Sequence, residues 1–278
     1  MTRVKRLPGI AARALVVGLF VIIAGLPVYW MVNTALSTDA ELYRTGQDWW
    51  LHLERLVDIP GTLSTVPILK WMTNSAVIAA GTMTLSLILS VLAAYALSRF
   101  KFHGKGVVAF MLFATQMLPE ALIVVPLFAI FVSLGLLNEL YGLVLANTAF
   151  TMPVAVFILK AAIDKIPHET EEAARIDGCP RSSQLTMIIL PLILPSIAAA
   201  AVINFFDGWN EFLFANTFIA DAEKWPASVG LVSFIGQYGT PLATVMAAAV
   251  LFTIPAVVFF LVVQRQIVSG LTAGAVKG

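Results

Sequence analysis

Carboxylate and amide side chains recur at helical spacing inside two of the most apolar stretches of the chain. Asn204, Asp207 and Glu211 project within about 60° of one another on a helix, in a stripe about 10 Å long. Gln116 and Glu120 lie about one helical turn apart beside a proline in an earlier stretch. Such groups can hydrogen-bond the hydroxyls of a polar solute or hold an ion. The alternative is that they are paired structural groups, or that they lie in the headgroup zone of a membrane.

The composition places these groups in a membrane protein. Of 278 residues, 59% are hydrophobic and 12% are charged, about half the charged fraction of soluble domains. Apolar runs of about twenty residues predict an all-α membrane protein. A carboxylate at the centre of such a helix costs about 2.5–3.5 kcal/mol, so each should face the bundle interior or a watery cavity. The net charge of +1 does not indicate nucleic-acid binding, and the single cysteine excludes an intrachain disulfide.

The apolar runs predict six transmembrane helices, at about residues 14–36, 75–97, 107–134, 140–162, 192–216 and 242–263. They form a transmembrane domain over residues 14–263, between tails at 1–13 and 264–278. The first run is too long for a cleaved signal peptide, so we expect it to remain as a helix. The third run is interrupted by Pro119 and Pro126.

Two neighbours of the acidic stripe have different predicted roles. Asn210 points away from the stripe, which predicts a hydrogen bond to another helix. Gly208 has no side chain, so it permits close packing of a second helix.

Basic residues are distributed unevenly between the loops. The N-terminus holds four Lys or Arg, loop 99–105 three, loop 160–181 four and the C-terminal tail two, against four in all remaining loops. An excess of Lys and Arg marks the cytoplasmic side of a membrane. Both termini and the polar loop 163–184 are therefore predicted to be cytoplasmic.

That polar loop contains a short predicted helix. Residues Pro167 to Asp177 are mostly helix formers, with acids in the first turn, where the helix dipole favours negative charge. Gly178 follows where a left-handed residue ends a helix, and Pro180 prevents continuation. We therefore predict a helix, a sharp turn and a second helix. Small Ala173 and Ala174 let another surface approach closely, whereas the alternative is a solvated connector with ordinary caps.

The same loop resembles the inner-membrane permease subunits of bacterial ABC importers. Their signature is E-A-A-x-x-x-G, nine residues, then I-x-L-P, and the chain matches it without a gap at Glu172, Ala173, Ala174, Gly178, Ile188, Leu190 and Pro191. More narrowly, the chain is similar to carbohydrate-uptake permeases of the maltose-transporter type. That similarity extends from about Asn74 to the C-terminus and includes Ile166-Pro167, Trp209-Asn210-Glu211-Phe212 and the tail from Gly270 to Gly278.

The resemblance implies that the loop is a coupling helix that docks into a cleft of an ATP-binding subunit. The coupling residues it implies are Glu172, Ala173, Ala174, Arg175, Asp177, Gly178, Leu190 and Pro191. Glu172 would pair with a basic residue of the ATPase, and Gly178 would set the turn. The tail would contact the ATPase through Gly270, Leu271, Thr272 and Gly274. Cys179 departs from the alanine usual at its position, but it is a small apolar replacement.

The resemblance also implies the assembly. Two homologous permease subunits in the bacterial inner membrane would form the path, two ATP-binding subunits would bind the cytoplasmic loops, and an extracytoplasmic sugar-binding protein would deliver solute. ATP and Mg would be bound by the ATPase subunits, since the chain has no G-x-x-x-x-G-K-[ST] phosphate cradle. Its three histidines are scattered, so no metal site or cofactor is expected in this chain. Glu120 replaces a small or apolar residue usual in the family, which makes it a candidate for substrate specificity.

Alternatives remain open from the sequence. An ion-coupled secondary transporter could use Asp207, Glu211 and Glu120 as ion sites, although six spans without an evident inverted repeat argue against it. A membrane-embedded hydrolase is disfavoured because no nucleophile motif is present. Importers of glycerol phosphate or related phosphodiesters share this permease type, but no Arg/Lys pair occurs within the spans, which favours a neutral glycan. The sequence does not identify the sugar, nor whether this subunit contacts it.

Overall fold

The computed structural model describes residues 7–236 and 241–275, with side chains for residues 12–236 and 241–266. In these ranges the chain is helical. The α-helices are α1 (Leu7–Ala35), α2 (Asp39–Arg44), α3 (Ile59–Leu63), α4 (Ile68–Arg99), α5 (Lys105–Thr115), α6 (Glu120–Leu134), α7 (Leu140–Ile163), α8 (His168–Ile176), α9 (Arg181–Ser183), α10 (Leu190–Leu192), α11 (Leu194–Trp209), α12 (Leu213–Phe218), α13 (Ala227–Val232) and α14 (Leu242–Ala275). Short 3₁₀ segments at Leu53–Val57 and Ala222–Lys224 and a π-helix at Gln184–Ile189 complete the description.

Within the described ranges, four helical segments are long and apolar enough to cross a membrane, namely Ala12–Ala35, Ile68–Arg99, Leu140–Ile163 and Leu242–Gln266. Two bent pairs add one span each if each pair crosses once: α5 with α6, at 104°, and Arg181–Leu192 with Leu194–Phe218, at 80°. The predicted six-span, all-α fold agrees with this architecture. The cytoplasmic placement of the termini stays a prediction.

The bend between α5 and α6 has a proline at its centre. Pro119 precedes the first residue of α6 and has no N–H to extend α5, so the helical hydrogen bonds stop there. Pro126 lies inside α6 and does not end it. The prediction that both prolines interrupt the third span is therefore right for Pro119 and wrong for Pro126.

The predicted fifth span is not one continuous helix. The π-helix and α10 precede a bend at Ile193, and α11 then ends at Trp209. Residues 210–212 are non-helical, and α12 follows. Glu211 stabilises this restart because its carboxylate accepts the backbone N–H groups of Phe214, at 2.7 Å, and Ala215, at 3.4 Å.

The chain forms two compact units. One comprises Met1–Ile68 and Leu231–Ile254, and the other Leu69–Gly230 and Pro255–Gly278, in so far as these residues are described. In the first unit, the most apolar stretch of α1 contains no buried residue, whereas Asn33, Thr34 and Ala35 at its end are buried. Short helices follow it, and Arg55 joins them by binding Glu41 of α2 through two hydrogen bonds of 2.6 and 2.8 Å.

The second unit has two apolar cores. One is formed where the ends of α4 and α7 meet the π-helix and contains Tyr95, Leu159 and Ile189. The other is formed by α6, α7 and α12. Helix α11 packs along α7, and its Ala200 belongs to the first core. It also approaches α4 closely, because a Cβ atom on Gly208 would lie 2.8 Å from Cα of Ala79. This confirms the close packing predicted at Gly208.

Candidate functional site

The helix predicted in the polar loop is α8, and its end is a glycine turn. Gly178 adopts φ +80° and donates its N–H to the carbonyl of Arg175 at 3.1 Å. Cys179 donates to the carbonyl of Ala174 at 2.9 Å. These two bonds and the left-handed glycine form a Schellman motif, which satisfies carbonyls at the helix end. The predicted helix, turn and second helix are therefore present.

The second helix of this turn leads directly to the membrane segments. It begins at Arg181 after Pro180 and continues into the π-helix. Gln184, which is fully buried, donates to the carbonyl of Cys179 at 2.7 Å and so holds the turn. Of the predicted coupling residues beyond it, Leu190 is half-buried and Pro191 is exposed.

One face of α8 is exposed and partly apolar. Glu172 and Ala173 are exposed, and Ile176 has 87% of its surface accessible. At 100° per residue these three positions fall on one side of the helix. The other predicted coupling residues, Arg175, Asp177 and Gly178, are exposed around them, and Ala174 is half-buried.

The opposite face of α8 carries a buried acid that the sequence analysis did not single out. Glu171 is 4% exposed and forms an ion pair with Arg99 at the end of α4. Tyr95 donates its hydroxyl hydrogen to Glu171 at 3.1 Å, and Arg99 also donates to the carbonyl of Ile166 at 2.8 Å. The signal available in the sequence was an arginine ending an apolar span and a second acid beside Glu172. Nothing local indicated that they meet.

Four of the five predicted passage-lining residues surround one cavity of about 430 Å³. Its polar lining contains Gln116, Glu120, Asp207 and Glu211, together with Asn147, Thr151 and Asn210. Gln116 is fixed there by donating to the carbonyl of Phe150 at 2.9 Å. The aromatic lining consists of Phe150, Phe206 and Phe212.

The structure places Asn204 elsewhere. Its side chain is fully buried and donates to Oγ of Ser86 at 2.9 Å, so it joins α11 to α4. Glu211 reaches the cavity, but not as part of a continuous helical stripe, because α11 ends two residues before it. The same break turns Asn210 into the cavity, where the sequence analysis predicted that it points away.

Asn147 and Thr151 are cavity residues that the sequence analysis missed. Both are 4% exposed, and Nδ2 of Asn147 and Oγ1 of Thr151 have no hydrogen-bond partner within the described part of the chain. A buried polar group left in this state costs about 1–3 kcal/mol. Two polar residues four apart in an apolar span were the available signal, but such residues are more often helix–helix contacts.

The predicted tail contacts are not described in atomic detail. The backbone of α14 extends to Ala275. The predicted contact residues lie outside the part of the chain for which side-chain detail is described; they are Gly270, Leu271, Thr272 and Gly274. Among the residues whose side chains are described, no group of three or more His, Cys, Asp or Glu could hold a metal ion.

Comparison with known proteins assigns the chain to a family. A family model described as the binding-protein-dependent transport system inner membrane component matches residues 86–272. The chain belongs to this family. The permease is thus an inner-membrane component of a transport system, which confirms the predicted location and the prediction of a transport subunit in place of an enzyme.

Three relatives match almost the whole permease. The sulfoquinovosyl glycerol transport system permease protein SmoH of Agrobacterium fabrum is 34% identical, over 99% of this chain and 94% of that protein. The trehalose/maltose transport system permease protein MalG of Thermococcus litoralis is 35% identical, over 94% of each chain. The diacetylchitobiose uptake system permease protein DasC of Streptomyces coelicolor is 30% identical, over 98% of this chain and 96% of that protein.

Solved structures show the same fold. A chain of a bacterial ABC transporter involved in the import of the acidic polysaccharide alginate superposes with a TM-score of 0.80 at 24% identity, over 95% of this chain and 98% of that chain. A chain of a bacterial alginate ABC transporter in complex with its alginate pentasaccharide-bound periplasmic protein gives a TM-score of 0.66 at 17% identity, over 94% of each chain.

Proposed function

We propose that the permease is one of two membrane subunits of an ATP-driven ABC importer for a saccharide, and that α8 is the helix through which an ATPase subunit moves the spans. The observation that carries this proposal is the contrast between the two faces of α8. Ile176 is 87% exposed on one face, whereas Glu171 on the other is 4% exposed and paired with Arg99. A helix exposed on one side and fixed on the other is suited to receive a partner and to transmit its movement.

The exposed face has the composition of a docking site. Ile176 offers an apolar contact, Ala173 allows close approach, and Glu172 offers a charge that a basic residue of the ATPase can pair with. Ala173 and Ile176 are neighbours on the helix surface, so together they form a small apolar area beside the Glu172 carboxylate. We therefore assign the docking cleft of the ATPase to this face.

The fixed face joins α8 to two spans. Arg99 belongs to the last turn of α4. It also donates to the carbonyl of Ile166, three residues beyond the end of α7. Movement of α8 would therefore displace the ends of α4 and α7 together, and α7 packs against α11, which carries Asp207 of the cavity.

The energy for such a switch has to come from a partner. Changing a two-state ratio from 1:99 to 99:1 requires about 5.5 kcal/mol of differential binding. A surface ion pair at Glu172 would supply about 0–1 kcal/mol. ATP binding to partner ATPase subunits can supply the rest of this free energy. A second permease subunit would complete the path, and an extracytoplasmic binding protein would deliver the solute.

A saccharide is the solute class that both the relatives and the cavity support. The relatives named above transport sugars or glycosides by their names. The cavity combines carboxylate, amide and hydroxyl groups with aromatic rings, and none of its described lining residues is Lys or Arg. The absence of a basic lining residue weighs against glycerol phosphate and phosphodiesters.

The test is Glu172→Ala in the complex of the permease with its partner subunits. We expect unchanged membrane insertion and coupling weakened by up to about fivefold, measured as binding-protein-stimulated ATPase activity, because an exposed ion pair contributes up to about 1 kcal/mol. Lys165→Ala is the matched control, since Lys165 is an exposed charged residue of the same loop outside α8. A Glu172→Ala complex that assembles and couples like the unaltered one contradicts the proposal.

A second measurement tests the apolar contact. Ile176→Asp introduces a charge at the centre of the exposed face and should abolish copurification of the ATPase subunit, whereas Ile176→Val should retain it. Retention of the ATPase subunit by the Ile176→Asp permease would show that the ATPase binds elsewhere.

A further inference from the structure

The last turns of α1 fix the depth of the neighbouring chain in the membrane. The apolar segment Ala12–Ala35 has 24 residues, so it is about 36 Å long. The hydrocarbon core of a bilayer is about 30 Å thick, so a helix of this length that starts at one boundary reaches the headgroup region at the other. Tyr29 and Trp30 lie near its end, and Tyr and Trp are enriched at membrane interfaces. The end of α1 therefore marks the membrane surface.

Three contacts hold the next part of the chain against this end of α1. Tyr29 donates its hydroxyl hydrogen to the carbonyl of Trp49, and the Trp30 and Trp49 rings meet edge to face with centroids 5.1 Å apart. Asn33, which is fully buried, donates to the carbonyl of Asp48 at 2.5 Å. Asp48 and Trp49 therefore lie at the same depth as the end of α1.

From this point the chain exposes large apolar side chains. Trp50 is 76% exposed, and Leu53 and Leu56 of the following 3₁₀ segment share one face, because residues three apart are eclipsed in a 3₁₀-helix. Single exposed apolar groups are ordinary on a protein surface, whereas a group of them marks a protein or membrane interaction site. Six of the nine residues from 49 to 57 are exposed and large hydrophobic, namely Trp49, Trp50, Leu51, Leu53, Leu56 and Val57.

The charged side chains of the 3₁₀ segment are paired within the same unit. Arg55 binds the Glu41 carboxylate and donates to the carbonyl of Leu36 at 3.3 Å. His52 and Glu54 hydrogen-bond each other at 3.0 Å. A lipid environment requires polar groups to be satisfied by the protein itself. The combination of paired polar groups and exposed apolar ones therefore favours lipid as the cover.

The net charge of residues 48–57 indicates how they would bind lipid. The segment contains two acids and one arginine, and that arginine, Arg55, is already bound to Glu41. Attachment by attraction to anionic lipids uses clusters of Lys and Arg. Insertion of apolar side chains is therefore the mechanism that fits this segment.

We propose that residues 48–57 form an interfacial anchor, which lies in the lipid headgroup region at the end of α1 and inserts Trp50, Leu53 and Leu56 toward the acyl chains. An apolar face that lies in the interface binds in proportion to the apolar area that it buries. Interfacial aromatic anchors set the tilt and rotation of a spanning helix, so the three contacts described above transmit the position of the anchor to α1. The inference requires only a membrane location and is independent of coupling at α8.

A spin label tests the depth of the anchor. Leu53→Cys is introduced in a Cys179→Ser background and labelled with a nitroxide. The full-length permease, coexpressed with cysteine-free partner subunits, is reconstituted into phosphatidylcholine bilayers. Oxygen concentrates in the bilayer and a neutral nickel chelate stays in water, so the ratio of their collision rates with the nitroxide reports its depth. Ser64→Cys is the matched control, because Ser64 is an exposed residue of the same unit outside the anchor.

We expect a several-fold higher ratio of oxygen to nickel-chelate collision rates at Leu53→Cys than at Ser64→Cys. A ratio equal to that of the control would show that water covers the anchor. Low collision rates with both reagents would show that a protein subunit covers it. Either of these two results overturns the proposal.

Replacement of the exposed indole tests the apolar insertion. Trp50→Ser should lower the collision ratio at Leu53→Cys toward the control value, whereas Trp50→Tyr should retain it, since tyrosine also favours the interface. Trp50 is an exposed side chain, so neither substitution removes a buried contact. A ratio that is the same in both variants would contradict insertion through this side chain.

The lipid composition tests the role of charge. Replacing part of the phosphatidylcholine with anionic phosphatidylglycerol should leave the collision ratio at Leu53→Cys unchanged, because the anchor has no cluster of basic residues. A high ratio that appears only with the anionic lipid would overturn the proposed mechanism of binding.

Discussion

Arg99 and Glu171 form an ion pair in which only 6% and 5% of the two side chains are exposed. Arg99 ends α4, and Glu171 lies on the inner face of α8. Tyr95, one turn earlier in α4, adds a hydrogen bond of 3.1 Å to the same carboxylate. Charged, hydrogen-bonded contacts therefore fix α8 to a membrane-spanning helix, although the connection in the sequence is more than sixty residues long.

Removing one member of this pair should strongly destabilise the permease. Glu171→Ala leaves the Arg99 guanidinium buried without its carboxylate, and such a change typically costs about 3–5 kcal/mol. The measurement is the free energy of unfolding in detergent micelles by denaturant titration. Glu169→Ala is the control, since Glu169 is an exposed acid of the same helix, and its replacement should change stability by less than about 0.5 kcal/mol.

A double-mutant cycle separates the interaction energy of the Arg99–Glu171 pair from the energy of the packing around it. The combined Glu171→Ala and Arg99→Ala variant should lose less stability than the sum of the single variants, because the second substitution removes the charge that the first left unpaired. Additive losses would show that the two side chains act independently, and the fixed attachment of α8 would then be wrong.

The turn after α8 gives a prediction about backbone conformation. Gly178 has φ +80°, and a Cβ atom there would meet nothing within 4 Å. Gly178→Ala should therefore cost about 1 kcal/mol through backbone strain alone, without a clash. We expect weaker ATPase stimulation in the assembled complex, because the helix end must shift. Gly178→Asn should keep most of the activity, since asparagine tolerates the left-handed region. Equal effects of the two substitutions would exclude this explanation.

Local signals in the sequence predicted α8 and its turn. The acids in the first turn, Gly178 and Pro180 act over a few residues, so their consequences do not depend on distant parts of the chain. The apolar runs predicted the spans for the same reason, since a bilayer imposes length and hydrophobicity on each helix separately. The bend at Pro119 belongs to this class as well.

Long-range packing decided what the sequence did not predict. Glu171 and Arg99 meet only because α4 and α8 come together in the fold. The sequence did not indicate the break after Trp209, because Glu211 also fits a polar position on a continuous helix. In the structure its carboxylate instead accepts a backbone N–H group at the start of α12. Asn204 has the residue type and spacing expected of a passage-lining group, but its side-chain amide donates a hydrogen bond to Ser86 of α4. Periodicity gives the direction of a side chain but not its neighbour.

Close packing of α11 on α4 gives a further prediction. Gly208→Ala places a methyl group 2.8 Å from Cα of Ala79, so one helix must move. Overpacking of this kind costs about 1–3 kcal/mol, and the unfolding midpoint in detergent should fall accordingly. Gly106→Ala in α5 is the matched control, because a Cβ atom there meets nothing within 4 Å and alanine favours the helix. A Gly208→Ala permease as stable as the unaltered protein would show that α4 moves away at no cost.

The ion pair in the first unit predicts a pH dependence. The hydrogen bond from Arg55, with further bonds from the backbone and hydroxyl of Thr38, lowers the pKa of Glu41 from 4.5 to about 2. Because the pKa of Glu41 is lower in the folded protein than in the unfolded one, its contribution to stability is complete above about pH 4.5. This stabilising contribution is lost as the pH falls from about 4.5 through about 2.

The measurement compares unfolding midpoints of the unaltered permease and Glu41→Gln across this pH range by tryptophan fluorescence. The difference between the two should be constant from neutral pH down to about 5 and should shrink as the Glu41 carboxylate protonates in the unaltered protein. Glu223→Gln is the control, since the carboxylate of Glu223 is exposed and forms no ion pair in the described ranges. A difference that grows on acidification would mean that Glu41 is more easily protonated in the folded chain, which would contradict its pairing with Arg55.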